Sequence, residues 1–288
     1  MIDGLGTALI TPFQPNGEVD FAALEKLLDM QISGGVDYIV VLGTTGEAVT
    51  LSEKERQEVR RFIVKHVDGR LPIVLGVGGN CTANVIEAIN GMKDELQRDY
   101  AAILSVCPYY NKPSQEGLYQ HFAAIAKACP IPIILYNVPG RTGVNLLPET
   151  VVRIHEACPE KVVAIKEASG NIEQIRYLID ITRDKPFDVI SGDDGIAAEV
   201  MQAGGVGLIS VASNAYPEAF RKIVHDKDVE LQAKYAEFIK LLFKEGNPAG
   251  IKTALANKNI ISNVLRLPLV ANSEKVQREM RDVMLMLC

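Results

Sequence analysis

Eight short apolar runs, rich in Val, Ile and Leu, punctuate the chain at 5–10, 38–42, 73–77, 101–106, 133–138, 162–165, 189–191 and 207–211. Nearly every position within them is apolar, whereas a half-exposed strand would alternate polar with apolar residues. Such runs mark strands covered on both faces. Longer amphipathic stretches separate them, as expected for parallel strands joined by helical crossovers. The pattern predicts an α/β fold with eight successive βα units. An open doubly wound sheet is the rival, but eight consecutive units favour closure into a (β/α)8 barrel.

Local signals bound several helices. Ser52 stands three residues before Glu55, the spacing of a capping box, and Pro148-Glu149 suits the first turn of a helix. Gly34-Gly35 and Gly204-Gly205 each precede a strand, where a helix must stop and a left-handed residue can satisfy its last carbonyls. Beyond about residue 215 the strand pattern ceases, and 218–225, 229–245, 248–258 and 273–286 read as helices. The expectation is a catalytic barrel over residues 1–224 with a C-terminal helical appendage over 225–288. The length of 288 residues accommodates that arrangement.

Composition then removes whole classes of function. A formal net charge of −6 and a pI near 5.4 disfavour a nucleic-acid partner, which calls for a basic stripe. No apolar run reaches the length of a membrane span, and the N-terminus lacks the basic and apolar regions of a signal peptide. Five scattered cysteines without a C-x-x-C pair read as reduced core residues, and a cytoplasmic location is expected. The four histidines show no metal-binding spacing, so no metal is expected. Gly76-Val77-Gly78-Gly79-Asn80 lacks the third glycine of a dinucleotide fingerprint, and no Walker lysine motif occurs.

In a parallel α/β fold, chemistry gathers where strands end. Lys166 closes the run 162–165, where burial favours the neutral amine that nucleophilic attack on a ketone requires. A strand-end lysine that snorkels to solvent is the alternative. Tyr136 ends another strand and can shuttle protons if a second hydroxyl, from Thr45 or Tyr110, relays them; equally, it can be a core tyrosine with a satisfied hydroxyl. Gly43-Thr44-Thr45-Gly46 can aim backbone N–H groups at a carboxylate, or it is a plain turn. Arg141 offers a planar fork to a second carboxylate, or a surface ion pair. These residues point to imine chemistry on a 2-oxo acid.

Four segments occurring in order, Gly43-Thr44-Thr45-Gly46-Glu47, Pro108-Tyr109-Tyr110-Asn111-Lys112-Pro113, Tyr136-Asn137-Val138-Pro139-Gly140-Arg141-Thr142-Gly143 and Ile165-Lys166-Glu167, resemble the dihydrodipicolinate synthase and N-acetylneuraminate lyase family over essentially the whole chain. Arg141 and Gly192-Asp193-Asp194 look like the synthase branch and not the sialic-acid or sugar-acid aldolases. The resemblance implies condensation of pyruvate with aspartate semialdehyde, toward diaminopimelate and lysine, with no cofactor beyond a covalent imine between pyruvate and Lys166. It also implies that Thr44 and Thr45 hold pyruvate's carboxylate, that Tyr136, Thr45 and Tyr110 relay protons, and that Arg141 meets the second substrate's carboxylate. Gly192 and Ile209 would line the pocket with backbone carbonyls. A homo-oligomer is implied, a dimer or a dimer of dimers, with Tyr110 reaching the neighbouring subunit's site. One departure concerns feedback. Lysine-inhibited members carry polar or imidazole residues where this chain has Ala48, Glu53 and Arg56, and a carboxylate where it has Asn84, although Asn80 and Tyr109 are retained. Weak or absent lysine inhibition is therefore expected.

Overall fold

The computed structural model of the protein describes residues 2–287. Its strands are β1 (Gly4–Ala8), β2 (Tyr38–Val41), β3 (Ile73–Gly76), β4 (Ala102–Val106), β5 (Ile133–Asn137), β6 (Val162–Glu167), β7 (Asp188–Ser191) and β8 (Gly207–Ser210). They follow one another in sequence order around a closed parallel barrel. Each predicted apolar run overlaps one of these strands. β6 extends two residues past the apolar run, so Lys166 and Glu167 lie within the hydrogen-bonded ladder.

Helices occupy the intervals: α1 (Phe21–Ser33), α2 (Glu53–Val67), α3 (Thr82–Gly91), α4 (Lys93–Asp99), α5 (Gln115–Ala128), α6 (Pro139–Thr142), α7 (Pro148–Ala157), α8 (Ile172–Thr182), α9 (Ala197–Ala203), α10 (Pro217–His225), α11 (Val229–Lys234), α12 (Ala236–Phe243), α13 (Ala249–Asn257) and α14 (Glu274–Met286). Their starts follow from capping chemistry. Ser52 and Glu55 form the reciprocal capping box, while Ser114, Asn171, Asp228 and Ser273 accept N–H bonds from the first turns of α5, α8, α11 and α14. The predicted helix over 229–245 is broken at Tyr235. There the backbone N–H turns to Gln232 O, and the ring packs edge-on against Tyr216, Phe220 and Phe238. Placing that ring in an aromatic cluster outweighs continuity of the helix.

The described residues divide into two compact units, one built mainly on Pro72–Ile209 and one on Gly4–Leu71 with the residues from Ser210 onward. The helices after Ser210 group with the first two strands. In the first unit, five parallel pairings run from β3 through β8. Its core is aliphatic: Ile103, Ile133, Ile134, Leu135, Ile165 and Ile190 are fully buried. In the second, β1 pairs with β2, and Thr7, Gln31 and Ser213 join hydroxyl and amide groups in a buried chain. Among the described residues no helix is long and apolar enough to cross a membrane.

Candidate active site

The ladder between β5 and β6 sets Tyr136 directly opposite Lys166. Neighbouring residues on paired strands share a face, so the two side chains project together. Lys166 Nζ lies 4.4 Å from the centre of the Tyr136 ring, and Lys166 is 5% exposed. A buried amine against the face of a phenol is no snorkelling surface lysine. Gly192, just past β7, is shaped by this placement. A Cβ there would fall 2.9 Å from Lys166 Cε and 2.7 Å from Ala168 Cβ, so a side chain at 192 and the lysine stem would collide.

One residue further along each strand, the side chains point to the other face. Asn137 and Glu167 are also opposite one another, and Asn137 Nδ2 donates to both carboxylate oxygens of Glu167, at 3.2 and 2.9 Å. The backbone N–H of Ser169 donates to Oε1 at 2.7 Å, and Gln174 Nε2 to Oε2 at 3.3 Å. Asn145 closes the network, accepting from Asn137 and Gln174 while its own amide donates to Gln174 Oε1. Every one of these contacts to Glu167 is a donor, the environment that suits an ionised carboxylate. Burial works the other way and pushes its pKa up, with the Asn137, Ser169 and Gln174 bonds opposing the shift. This network pins the ends of two strands in the register that brings Lys166 to Tyr136. Reading the sequence missed it, though the signal was present in Asn137 and Glu167, polar residues each following a site residue within a buried strand.

Arg141 lies in the short α6 and is exposed, and Gly143 follows with φ 75°, a left-handed cap that glycine adopts without strain. Tyr110 is 89% exposed and also left-handed, at φ 76°; its N–H donates to Thr142 O across 3.2 Å. The loop carrying Tyr110 is thereby tied to the turn carrying Arg141. Asn80 and Asn111 brace the same loop through the carbonyls of Tyr109 and Asn80. Ile209 is buried within β8.

The second unit presents Thr44 and Thr45 on a turn closed by bonds from Gly46 N to Gly43 O and from Glu47 N to Thr44 O. Leu42 and Glu47 flank it with φ of 54° and 51°, a backbone that side-chain-bearing residues adopt at a cost, so the surroundings must hold it. Thr11 Oγ1 donates to Gly46 O at 2.7 Å, and the Glu47 carboxylate is ion-paired with Lys252 of α13. The backbone N–H of Arg266 donates to the other oxygen of Glu47. Thr44 is exposed, whereas Thr45 is 4% exposed and its Oγ1 accepts a 2.9 Å bond from Asn247 Nδ2. The sequence reading passed over Asn247 and Lys252. Lys252 does carry a signal, as a lone cation among Ala, Gly, Ile and Leu in a helix.

Residues 1–286 match the model of the dihydrodipicolinate synthetase family. The chain belongs to that family. The 4-hydroxy-tetrahydrodipicolinate synthase of Parabacteroides distasonis is 49% identical over 292 residues, spanning 98% of this chain and 96% of that protein. Among solved structures, dihydrodipicolinate synthase from Thermotoga maritima superposes with a TM-score of 0.94 at 40% identity, covering 99% of this chain and 98% of that one. The chloride-inhibited dihydrodipicolinate synthase of Acinetobacter baumannii, solved in complex with pyruvate, gives a TM-score of 0.93 at 42% identity, covering 99% and 98%. Membership accords with the four sequence segments and with the (β/α)8 topology. Among the described residues no group of three or more His, Cys, Asp or Glu could hold a metal ion.

Proposed function

We propose that this protein condenses pyruvate with L-aspartate 4-semialdehyde through a Schiff base on Lys166, the reaction for which its relatives are named. The observation that carries the proposal is the buried Lys166 amine facing the Tyr136 ring at 4.4 Å. The neutral amine attacks the C2 ketone of pyruvate, and the carbinolamine loses water to leave an iminium. Loss of a C3 proton gives the enamine, whose C3 bonds to the aldehyde carbon of the second substrate. The α-amine of that substrate then attacks C2 and displaces Lys166, closing the ring and freeing the enzyme. Tyr136 supplies and takes the protons of imine formation, and the exposed Arg141 meets the carboxylate of aspartate semialdehyde. Gly192 and Ile209 offer backbone carbonyls to the bound ligands.

The two threonines divide the remaining work by their surroundings. Thr45 is buried and already bonded to Asn247, which suits a fixed contact to pyruvate's carboxylate. Thr44 is the exposed hydroxyl of the turn. We therefore shift the relay expected of Thr45 to Thr44, working with Tyr136 and Tyr110. The exposure of Tyr110 and its braced loop support its use on a neighbouring copy of the chain, in a dimer or a dimer of dimers. Borohydride reduction with pyruvate tests the chemistry: the intact mass should rise by one reduced pyruvate adduct, and peptide mapping should place it on Lys166. An adduct elsewhere would overturn the assignment.

Lysine feedback is expected to be weak. Arg56 is committed to the chain's own groups, with Nη2 2.7 Å from Glu53 Oε2 and Nη1 bonded to the carbonyls of Ala48 and Leu51. A guanidinium fixed there opposes a second ammonium group. Initial rates should be unchanged at sub-millimolar lysine, and inhibition in that range would contradict the reading.

A further inference from the structure

Thr45 carries one hydroxyl proton and two lone pairs, and which way the proton points decides what the side chain can do. Asn247 Nδ2 donates to Oγ1 at 2.9 Å, so the amide occupies a lone pair and the threonine's own proton must be directed elsewhere. The pair is shielded from water, with Asn247 7% and Thr45 4% exposed. Water cannot readily replace the amide there. Asn247 stands two residues before α13, whose Lys252 grips Glu47. One segment thus fixes the turn at two points, Thr45 by an amide and Glu47 by a cation.

We propose that Asn247 is a positioning residue that makes Thr45 a dedicated hydrogen-bond donor to the carboxylate of the 2-oxo acid. It touches no reacting atom. The proposal rests on the assignment of Thr45 to that carboxylate. A hydroxyl free to rotate would spend part of its time aiming its proton at position 247 and a lone pair at the anion, which repels it; with Asn247 donating, that orientation is closed.

The test compares Asn247→Asp with Asn247→Ala, both checked by thermal melting. Aspartate is nearly isosteric but when ionised only accepts, so Thr45 would turn its proton onto the new carboxylate. For Asn247→Asp, KM for pyruvate should rise by about 10-fold or more, the scale of one lost hydrogen bond to a charged group, while kcat stays within about 3-fold. The alanine variant should show a smaller KM rise. Lowering the pH should shrink the aspartate penalty as its carboxyl gains a proton and can donate, a response that a merely structural role would not produce. In a Thr45→Val background, Asn247→Ala should change KM no further. Parental KM in Asn247→Asp, or a loss confined to kcat, would overturn the proposal, as would additive effects in the double variant if Asn247→Asp fails to fold. Absence of a pyruvate adduct in the parent protein would instead bring down the imine reading on which the proposal stands.

Discussion

The protein buries two lysines, one in each compact unit, and surrounds them in opposite ways. Lys252 is fully buried in α13, ion-paired with Glu47, bonded to Val264 O at 3.0 Å and set 4.1 Å from the centre of the Phe13 ring. Burial drives its pKa down to about 8, even though Glu47 works to raise it. Lys166 instead ends a strand with its amine against a phenol, and the nearby carboxylate of Glu167 is turned to the other face and saturated by neutral donors. Lys252 is enclosed by partners of its own chain; Lys166, the proposed nucleophile, is set against a phenol ring. Burial is common to both. What differs is the use made of it.

Replacing each lysine should separate the two roles. Lys166→Ala should abolish the borohydride-trapped adduct and lower kcat/KM by more than about 10³-fold, as loss of a covalent nucleophile does, with the melting temperature little changed. Equal turnover by this variant and its parent would erase the comparison. Lys252→Met leaves the Glu47 carboxylate buried without its cation, which costs about 3–5 kcal/mol of stability by chemical denaturation. At temperatures where that variant stays folded, the adduct at Lys166 should still form. Adding Glu47→Gln should recover part of the loss, because the stranded charge goes with it; no recovery would mean that packing and not charge dominates the site.

Smaller effects lie in the pH dependence of stability. Lys252 has a folded pKa below its unfolded value of 10.5, so its contribution is fully present above that value and is lost as pH falls through about 8. Glu167 is the mirror case, with a folded pKa above the ordinary 4.5. Its contribution is present below that value and is lost as pH rises through the folded one. Denaturation at a series of pH values should show a rise in stability between about 8 and 10.5 that Lys252→Met removes, and a decline as pH rises past 4.5 that Glu167→Gln flattens. Each slope is bounded by about 1.4 kcal/mol per pH unit for one proton. Slopes that survive both substitutions would assign them to other groups.

The eight strands were legible because strands covered on both faces need continuous apolar runs, and few alternatives write that pattern. Lys166 and Tyr136 were legible as polar residues at the ends of such runs. What lay behind them was not. The bond from Asn247 to Thr45 links residues 202 positions apart, and no periodicity encodes a contact of that separation. Lys252 stood out as a lone cation among the apolar residues of its helix, but its partner Glu47 lies on a distant turn that no local rule names. The helix break at Tyr235 also came from tertiary packing, since local propensity favours continuity there. Local rules thus recovered the scaffold and the polar residues at its strand ends, while the contacts behind those residues had to be seen in space.

At the ends of β5 and β6, consecutive residues serve different masters: Tyr136 and Lys166 on one side, Asn137 and Glu167 on the other. An odd-numbered insertion or deletion inside either strand would swap these assignments, sending an amine or phenol into the amide cluster and a carboxylate or amide toward the substrate. Changes of length in such a scaffold are therefore confined to the loops that follow the strands, where length can vary without altering which side a strand residue faces.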